Sequence, residues 1–164
     1  RQLLPLMQPG CRIVNTVSCT YAIGRIEPDF FEKGRNGRFF RIPVYSNTKL
    51  ALLLFTQELA ERLQNQGITI NASDPGIVST NMITMQAWFD PLTDILFRPF
   101  IKTPAQGAAT AIHLALSNEA KDKNGCCYAN CKKRNVSERI RHHAQQKQLW
   151  DDTEILLRQK GIRF

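Results

Sequence analysis

Hydrophobic positions along the chain follow two different periods. Short runs rich in β-branched residues at 12–17, 68–72 and, more weakly, 126–129 predict three strands. Between the first two runs, apolar residues recur at helical spacing, namely Leu50, Leu53, Leu54, Ala60 and Leu63. This spacing predicts a helix over 44–66 that ends at Gly67, a residue suited to the left-handed conformation that follows many helices.

Two further helices are predicted after the second strand. Thr103 followed by Pro104 and Gln106 is a capping-box sequence, which predicts a helix that starts there and ends near Leu116. Another helix is expected within 137–159. The order strand, helix, strand, helix, strand is typical of an α/β fold whose parallel sheet is covered by helices on both faces.

The middle of the helix predicted over 44–66 is apolar on nearly every side, because Leu52 and Phe55 add to its core face. We therefore expect the sheet to bury one side of this helix and a second neighbour to bury another. A partner subunit in a homodimer is one candidate for that neighbour.

Composition narrows the class of protein. The 164 residues, 43% of them hydrophobic, are typical of one globular domain, and the longest apolar run, 50–55, is far shorter than a membrane-spanning helix. The five cysteines form an odd, irregular set, which favours a reducing compartment inside the cell. Neither they nor the histidines have metal-ligand spacing, so we expect no metal site. The chain begins with Arg1 rather than Met, so we expect it to start within a longer protein.

Positive charge is concentrated in one segment of a chain whose net charge is +8. Residues 132–147 carry six basic side chains and one acidic side chain, Glu138. Such a run can bind phosphates or an anionic membrane surface, or it can simply be a solvated helix face. Nucleic-acid binding is disfavoured because no interleaved aromatic residues or base-reading motif accompany the basic residues.

Tyr45 and Lys49 are candidate catalytic residues because they stand four positions apart at the start of the predicted long helix, which places them on one face. An ammonium group beside a phenol favours the phenolate, so the pair can act as a general acid and base. Tyr128 and Lys132 have the same spacing, but Tyr128 lies in a predicted strand, where four residues span ~13 Å. Spacing alone is therefore a weak signal, and the helical setting favours the first pair.

Two other candidates follow predicted strands. Ser18 comes after the first strand, and in open α/β sheets ligands bind beyond the carboxyl ends of the strands, where a hydroxyl can hold a substrate oxygen. After the second strand, 74–80 contains a Pro75-Gly76 break that lets backbone approach a ligand, and Thr80 can hydrogen-bond an amide or a phosphate. Each feature alone is also compatible with an ordinary turn.

Taken in their order along the chain, the three features resemble the short-chain dehydrogenase/reductase family, and the resemblance extends over nearly the whole chain. Residues 12–18 resemble its catalytic-serine strand, 45–49 its YxxxK motif and 75–80 its PGxVxT loop. The resemblance implies the C-terminal half of a Rossmann-type, doubly wound parallel sheet forming part of a single domain. It also implies a nicotinamide cofactor, NADP or NAD, and interconversion of an alcohol with an aldehyde or ketone.

The same resemblance implies a role for each motif residue. Tyr45 would donate or accept the proton, Ser18 would hydrogen-bond the substrate oxygen, and Lys49 would lower the pKa of the tyrosine and hold the nicotinamide ribose. The loop of Pro75 and Gly76 would meet the nicotinamide carboxamide through the Ile77 backbone and the Thr80 side chain. One departure is Val17, which stands where the family commonly has a serine before the catalytic one.

A narrower resemblance is to the branch that resembles retinol dehydrogenases. It is carried by Gly24-Arg25-Ile26, by the long segment before Tyr45, by the start of the 103–116 helix and by Leu149-Trp150. This branch implies an apolar, retinoid-like or lipid-derived small molecule as substrate, favours NADP, and suggests a cytoplasmic or endoplasmic-reticulum-associated enzyme. Four aromatic residues of the long segment could wall a substrate channel or merely pack the loop: Phe30, Phe31, Phe39 and Phe40.

The family's Gly-rich phosphate turn and its catalytic asparagine have no counterpart in these 164 residues. We therefore expect the chain by itself to bind the cofactor poorly, since that turn and the helix after it grip the pyrophosphate. The alternative function is a catalytically silent relative that acts as a scaffold or regulator, although the retention of Ser18, Tyr45 and Lys49 together disfavours it.

Overall fold

A short parallel sheet forms the centre of the structure, a computed structural model that describes residues 3–28, 30–31, 41–78 and 101–162. Its strands are β1 (Arg12–Thr16), β2 (Thr69–Asp74), β3 (Cys127–Ala129) and β4 (Lys132–Lys133), in that spatial order. The helices are α1 (Arg41–Arg62), α2 (Pro104–Leu116), α3 (Glu138–Arg141) and α4 (Gln146–Gln159), with 3₁₀ helices at Leu4–Leu6, Cys19–Ile23 and Asn118–Ala120. The predicted α/β class is confirmed.

The first three strands run parallel, so their carboxyl ends meet at one edge of the sheet. Thr16 is paired with Ser73 of β2, and Asp74 at the end of β2 is paired with Ala129 of β3. The chain segments that follow β1 and β2 therefore leave the sheet side by side. This edge is where the sequence places Ser18 and the loop of Pro75.

Strand β4 was not predicted, and it corrects the expected geometry of Tyr128 and Lys132. Asn130 and Cys131 both have positive φ, 52° and 59°, and they turn the chain back so that β4 pairs antiparallel with β3. Lys132 therefore lies opposite Ala129 rather than far along one extended strand. Tyr128 is buried and Lys132 is exposed. The two residues of this second pair therefore lie on two strands joined by a turn and do not share a helix face.

Helices cover both faces of the sheet, as predicted. On one face, α1 contributes Leu50, Leu53 and Leu54 to a core that also contains Ala72 of β2. On the other face, α2 contributes Leu114. The Arg12 guanidinium ties α2 to β1 by donating to the carbonyl oxygens of Leu114 at 3.2 Å and Ser117 at 2.7 Å.

The second neighbour of α1 is α4. The Trp150 ring stacks on Phe55 of α1 with centroids 5.1 Å apart, and the Arg62 guanidinium lies 4.6 Å from the same indole. Glu58, itself buried, accepts hydrogen bonds from Arg62 Nε at 2.7 Å and from Gln146 Nε2 at 3.0 Å. The side of α1 for which a partner subunit was one candidate neighbour is thus packed against α4 of the same chain.

Element boundaries differ from prediction mainly at helix ends. Helix α1 begins three residues before the predicted start and ends at Arg62, after which turns continue to Gly67 with φ of 69°. The capping box of α2 is confirmed, since Thr103 and Gln106 exchange hydrogen bonds of 2.9 and 3.2 Å. The helix expected within 137–159 is confirmed as α4, and the short helix α3, which was not predicted separately, precedes it with a break at 142–145.

None of the helices in the described ranges is long and apolar enough to cross a membrane. All five cysteines are free thiols. Across the same ranges, no group of three or more metal-binding side chains is positioned to hold an ion.

Candidate active site

Ser18 stands two residues beyond β1, at the carboxyl edge of the sheet. Its backbone is extended, with φ of −150° and ψ of 149°, and its side chain caps the 3₁₀ helix Cys19–Ile23 by accepting the Thr20 N–H at 3.5 Å. This long, weak hydrogen bond leaves the Ser18 hydroxyl proton available to another acceptor.

Gly24 brings the loop that follows Ser18 against the start of α1. A Cβ atom at Gly24 would lie 2.5 Å from the Ser46 carbonyl oxygen, so only glycine permits this approach. The next residue, Arg25, donates its N–H to Asn47 Oδ1 at 2.8 Å. The two contacts hold the serine loop beside the helical turn that carries Tyr45.

Tyr45 and Lys49 share one face of α1, as their spacing predicts. Lys49 Nζ lies 5.4 Å from the centroid of the Tyr45 ring and donates a 3.0 Å hydrogen bond to the carbonyl oxygen of Thr16, the last residue of β1. Tyr45 is 39% exposed, so solvent or a ligand can reach it. The ammonium group therefore lies close to the phenol and is tied to the strand that leads to Ser18.

The loop after β2 forms a tight turn at the same edge. The Asp74 carboxylate accepts the Gly76 N–H at 2.9 Å, and Gly76 has φ of +76°, a conformation that favours glycine. Ile77 follows with 52% of its side chain exposed. Thr80 lies outside the described residues, so its predicted contact stays a prediction.

Lys102 is a residue of this edge that the sequence motifs do not indicate. Its Nζ donates to the Pro75 carbonyl oxygen at 2.9 Å and to Asn130 Oδ1 at 2.6 Å, so it ties the loop after β2 to the turn between β3 and β4. Its backbone also pairs with Val78. The only signal in the sequence was its position just before the α2 cap, which does not reveal what a lysine side chain reaches.

Known proteins are similar to this chain in sequence and in fold. The family model described as short chain dehydrogenase matches residues 33–88. Retinol dehydrogenase 12 of Mus musculus is 38% identical over 153 residues, which are 93% of this chain and 46% of that protein. The chain is similar to the short-chain dehydrogenase family. It spans about half the length of the curated relatives it matches.

Solved structures share the fold. An uncharacterised protein from Mycobacterium Paratuberculosis matches with a TM-score of 0.68 at 23% identity, over 94% of this chain and 52% of that chain. A blue fluorescent protein from a metagenomic library, solved in complex with NADPH, matches with a TM-score of 0.53 at 28% identity, over 75% of this chain and 44% of that chain. The predicted Rossmann-type sheet is therefore confirmed.

The departure at Val17 has a structural reason. The Val17 side chain is almost fully buried and belongs to the core formed with Leu50 and Leu53 of α1. An apolar residue at this position adds to the core, and Ser18 keeps its place at the strand end. The substitution therefore leaves the geometry of the candidate site intact.

Phe30 and Phe31 pack the loop against two helices. Their rings meet edge to face with centroids 5.0 Å apart, and together with Thr48 of α1 and Leu149 of α4 they line a narrow cleft. This arrangement favours loop packing for these two aromatics. Phe39 and Phe40 lie outside the described part of the chain.

Proposed function

We propose that the protein is an NAD(P)-dependent oxidoreductase that interconverts an alcohol with an aldehyde or ketone, using Ser18, Tyr45 and Lys49. The observation that carries this proposal is the position of Lys49 Nζ, 5.4 Å from the Tyr45 ring and bonded to the last carbonyl of β1. In the proposed mechanism this cation compensates the negative charge that develops on Tyr45 when its proton is transferred.

In the proposed reduction, the Tyr45 hydroxyl donates its proton to the carbonyl oxygen, and the Ser18 hydroxyl hydrogen-bonds the same oxygen as negative charge develops. Oxidation reverses the proton transfer, so Tyr45 accepts the alcohol proton. A bound nicotinamide supplies or accepts the hydride. The Lys49 ammonium compensates the charge of the phenolate in both directions.

The residues present fit the nicotinamide end of such a cofactor. Among the described residues, the hydrogen bond from Lys49 Nζ to Thr16 uses one of three N–H groups and leaves two for ribose hydroxyls. Gly76 lacks a side chain and Ile77 is exposed beside it, so backbone there can face a carboxamide. One solved structure of similar fold, 28% identical to this chain, holds NADPH, which supports NADP as the preferred form.

For the substrate, we propose an apolar, retinoid-like or lipid-derived alcohol or aldehyde. The support is the 38% identity to a retinol dehydrogenase. We also propose that the exposed basic side chains within 132–147 attract an anionic membrane surface, where such substrates collect.

The five cysteines are free thiols, and we propose that the protein works in a reducing compartment.

The decisive experiment replaces Tyr45 with phenylalanine in the complete protein that carries this chain. Reduction of retinal and of a straight-chain aldehyde is followed through NADPH absorbance. Tyr45→Phe removes the proton donor and keeps the ring, so we expect kcat to fall by about 10²- to 10⁴-fold.

Tyr128→Phe is the matched control, because Tyr128 has the same spacing to a lysine but lies buried in β3. We expect this variant to retain turnover within about twofold of the wild type, since only a group in contact with the substrate contributes to transition-state stabilisation. Equal activity in Tyr45→Phe and the wild type would refute the mechanism. Absence of turnover in the wild type with either cofactor would favour the silent-relative alternative.

A further inference from the structure

A cavity of about 390 Å³ lies between the loop that follows Ser18 and the segment that follows β4. One wall comes from Cys19, Tyr21 and Ala22, and the other comes from Arg134, Asn135 and Ser137. Cys19 directly follows Ser18 in the chain, so the cavity lies beside the segment that carries the residue proposed to hold the substrate oxygen. Its volume is within the range of small-molecule sites.

Arg134 is the charged residue that lines this cavity. Its side chain is exposed, and no carboxylate of the described residues lies within ion-pairing distance of its guanidinium. Its backbone is fixed, since the Arg134 N–H donates to the Cys127 carbonyl oxygen at 2.8 Å. A positioned cation thus faces the cavity without a protein anion paired to it.

The groups that interact with Arg134 do not neutralise it at neutral pH. Burial raises the pKa of Tyr21 to about 12 and that of Cys127 to about 11, so both side chains remain protonated. The Asp74 carboxylate acts on the same two groups, and among the described residues it forms no ion pair with Arg134. The charge of Arg134 is therefore available to a ligand in the cavity.

The opposite wall is held in place by a second arginine. Arg139 Nη2 donates to the Ala22 carbonyl oxygen at 2.9 Å, which joins α3 to the 3₁₀ helix after Ser18. Asn135 and Ser137 add neutral hydrogen-bonding groups beside Arg134. A polar, positively charged cavity beside the residue that follows Ser18 is suited to the anionic end of a ligand whose reactive oxygen lies at Ser18.

We propose that this cavity receives the end of the substrate remote from the reacting carbon, and that Arg134 selects substrates carrying a carboxylate at that end. The inference rests on the proposed oxidoreductase function and narrows its substrate class from apolar carbonyl compounds to those with a terminal acid. Arg134 is a specificity residue here and takes no part in the proton transfer.

The test compares two aldehydes of equal length, nonanal and 9-oxononanoate, in the complete protein. The wild type is expected to have the lower KM for 9-oxononanoate. Arg134→Gln is expected to raise that KM about tenfold and to leave the kinetics with nonanal unchanged, because one charge-assisted hydrogen bond is lost. Arg134→Lys is expected to retain part of the preference.

Lys133→Gln is the matched control, since it removes the same charge one residue away and Lys133 does not line the cavity. It should leave both KM values unchanged. If Arg134→Gln and Lys133→Gln raise the KM for 9-oxononanoate equally, the effect belongs to overall charge and the inference is wrong. If the wild type reduces both aldehydes with the same KM, the inference also fails while the oxidoreductase function stands.

A second readout does not depend on turnover. Cys19 is exposed and lines the cavity, so nonanoate bound there should slow its alkylation by iodoacetamide, measured by peptide mass spectrometry. We expect protection in the wild type and none in Arg134→Gln, and nonanol should protect neither. Protection without turnover would retain the carboxylate site and overturn the oxidoreductase proposal, whereas equal alkylation rates with and without nonanoate would overturn the site.

Discussion

At the scale of single residues, the core beside the candidate site contains two acidic groups that remain protonated. The Tyr21 phenol and the Cys127 thiol form a side-chain hydrogen bond in the core between the 3₁₀ helix after Ser18 and β3. Burial is the main cause of their raised pKa values, and Asp74 adds to both. Such groups stabilise the folded chain only while they keep their protons.

We expect the free energy of unfolding to fall as pH rises from about 9 towards 12. In the unfolded chain the Cys127 thiol has its ordinary pKa of 9.0 and the Tyr21 phenol its ordinary pKa of 10.0. In the folded chain these pKa values are raised to about 11 and about 12. The folded state therefore binds more protons in this window, and stability declines as pH increases. Urea unfolding at about pH 8 and about pH 11 measures the decline.

Tyr21→Phe removes the higher of the two titrations and should make the alkaline decline shallower. At neutral pH the same variant loses one buried hydrogen bond, which costs about 1 kcal/mol. Identical pH slopes in the wild type and in Tyr21→Phe would show that this phenol does not contribute to the alkaline effect.

At the scale of elements, the position of the face of α1 that carries Tyr45 and Lys49 depends on what packs around the helix. The sheet buries one side and α4 buries another, while Gly24 allows the serine loop to lie against the first turns. Tyr45 and Lys49 remain on the side that faces the carboxyl end of β1. The orientation of α1 is thus set by the sheet and α4 together with the contact of Gly24 beside Tyr45.

Trp150→Ala is expected to destabilise the protein by about 3 to 5 kcal/mol, because it removes a buried indole that stacks on Phe55 and packs under Arg62. Ile155 of the same helix is 54% exposed, so Ile155→Ala should change stability by no more than about 0.5 kcal/mol. Urea unfolding of both variants measures the difference. Similar small losses in both would mean that α4 contributes little to the stability of α1.

At the scale of the whole molecule, the described sheet is open at β1, one of its two edge strands. Within the described ranges, β1 pairs with β2 and its opposite edge has no strand beside it. The printed sequence also contains no GxxxGxG turn that could place a helix N-terminus against pyrophosphate. The described residues thus provide the nicotinamide end of the proposed cofactor site without the phosphate end.

We therefore expect the 164-residue chain by itself to bind NADPH more weakly than the micromolar range, with little or no turnover. Titration followed by NADPH fluorescence measures the affinity. Micromolar binding by this chain would contradict the expectation and would require a phosphate site that its sequence does not indicate.

The sequence by itself determined the long helices and strands and the candidate site residues that lie at their ends. Helical spacing identified α1, the capping box identified the start of α2, and β-branched runs identified β1 and β2, because these signals are local. Ser18, Tyr45, Lys49, Pro75, Gly76 and Ile77 were placed on the correct elements for the same reason. Their catalytic and binding roles stay predictions.

Only the tertiary structure decided the short elements and the contacts between residues distant in the chain. Strand β4 has two residues and forms through pairing with β3, and the break between α3 and α4 depends on how both pack. The reach of Lys102 to Pro75 and Asn130, the cover of α4 over α1, and the cavity beside Arg134 all join residues distant in the chain. Contacts of this kind are made by side chains across the fold, and local periodicity carries no information about which partners they meet.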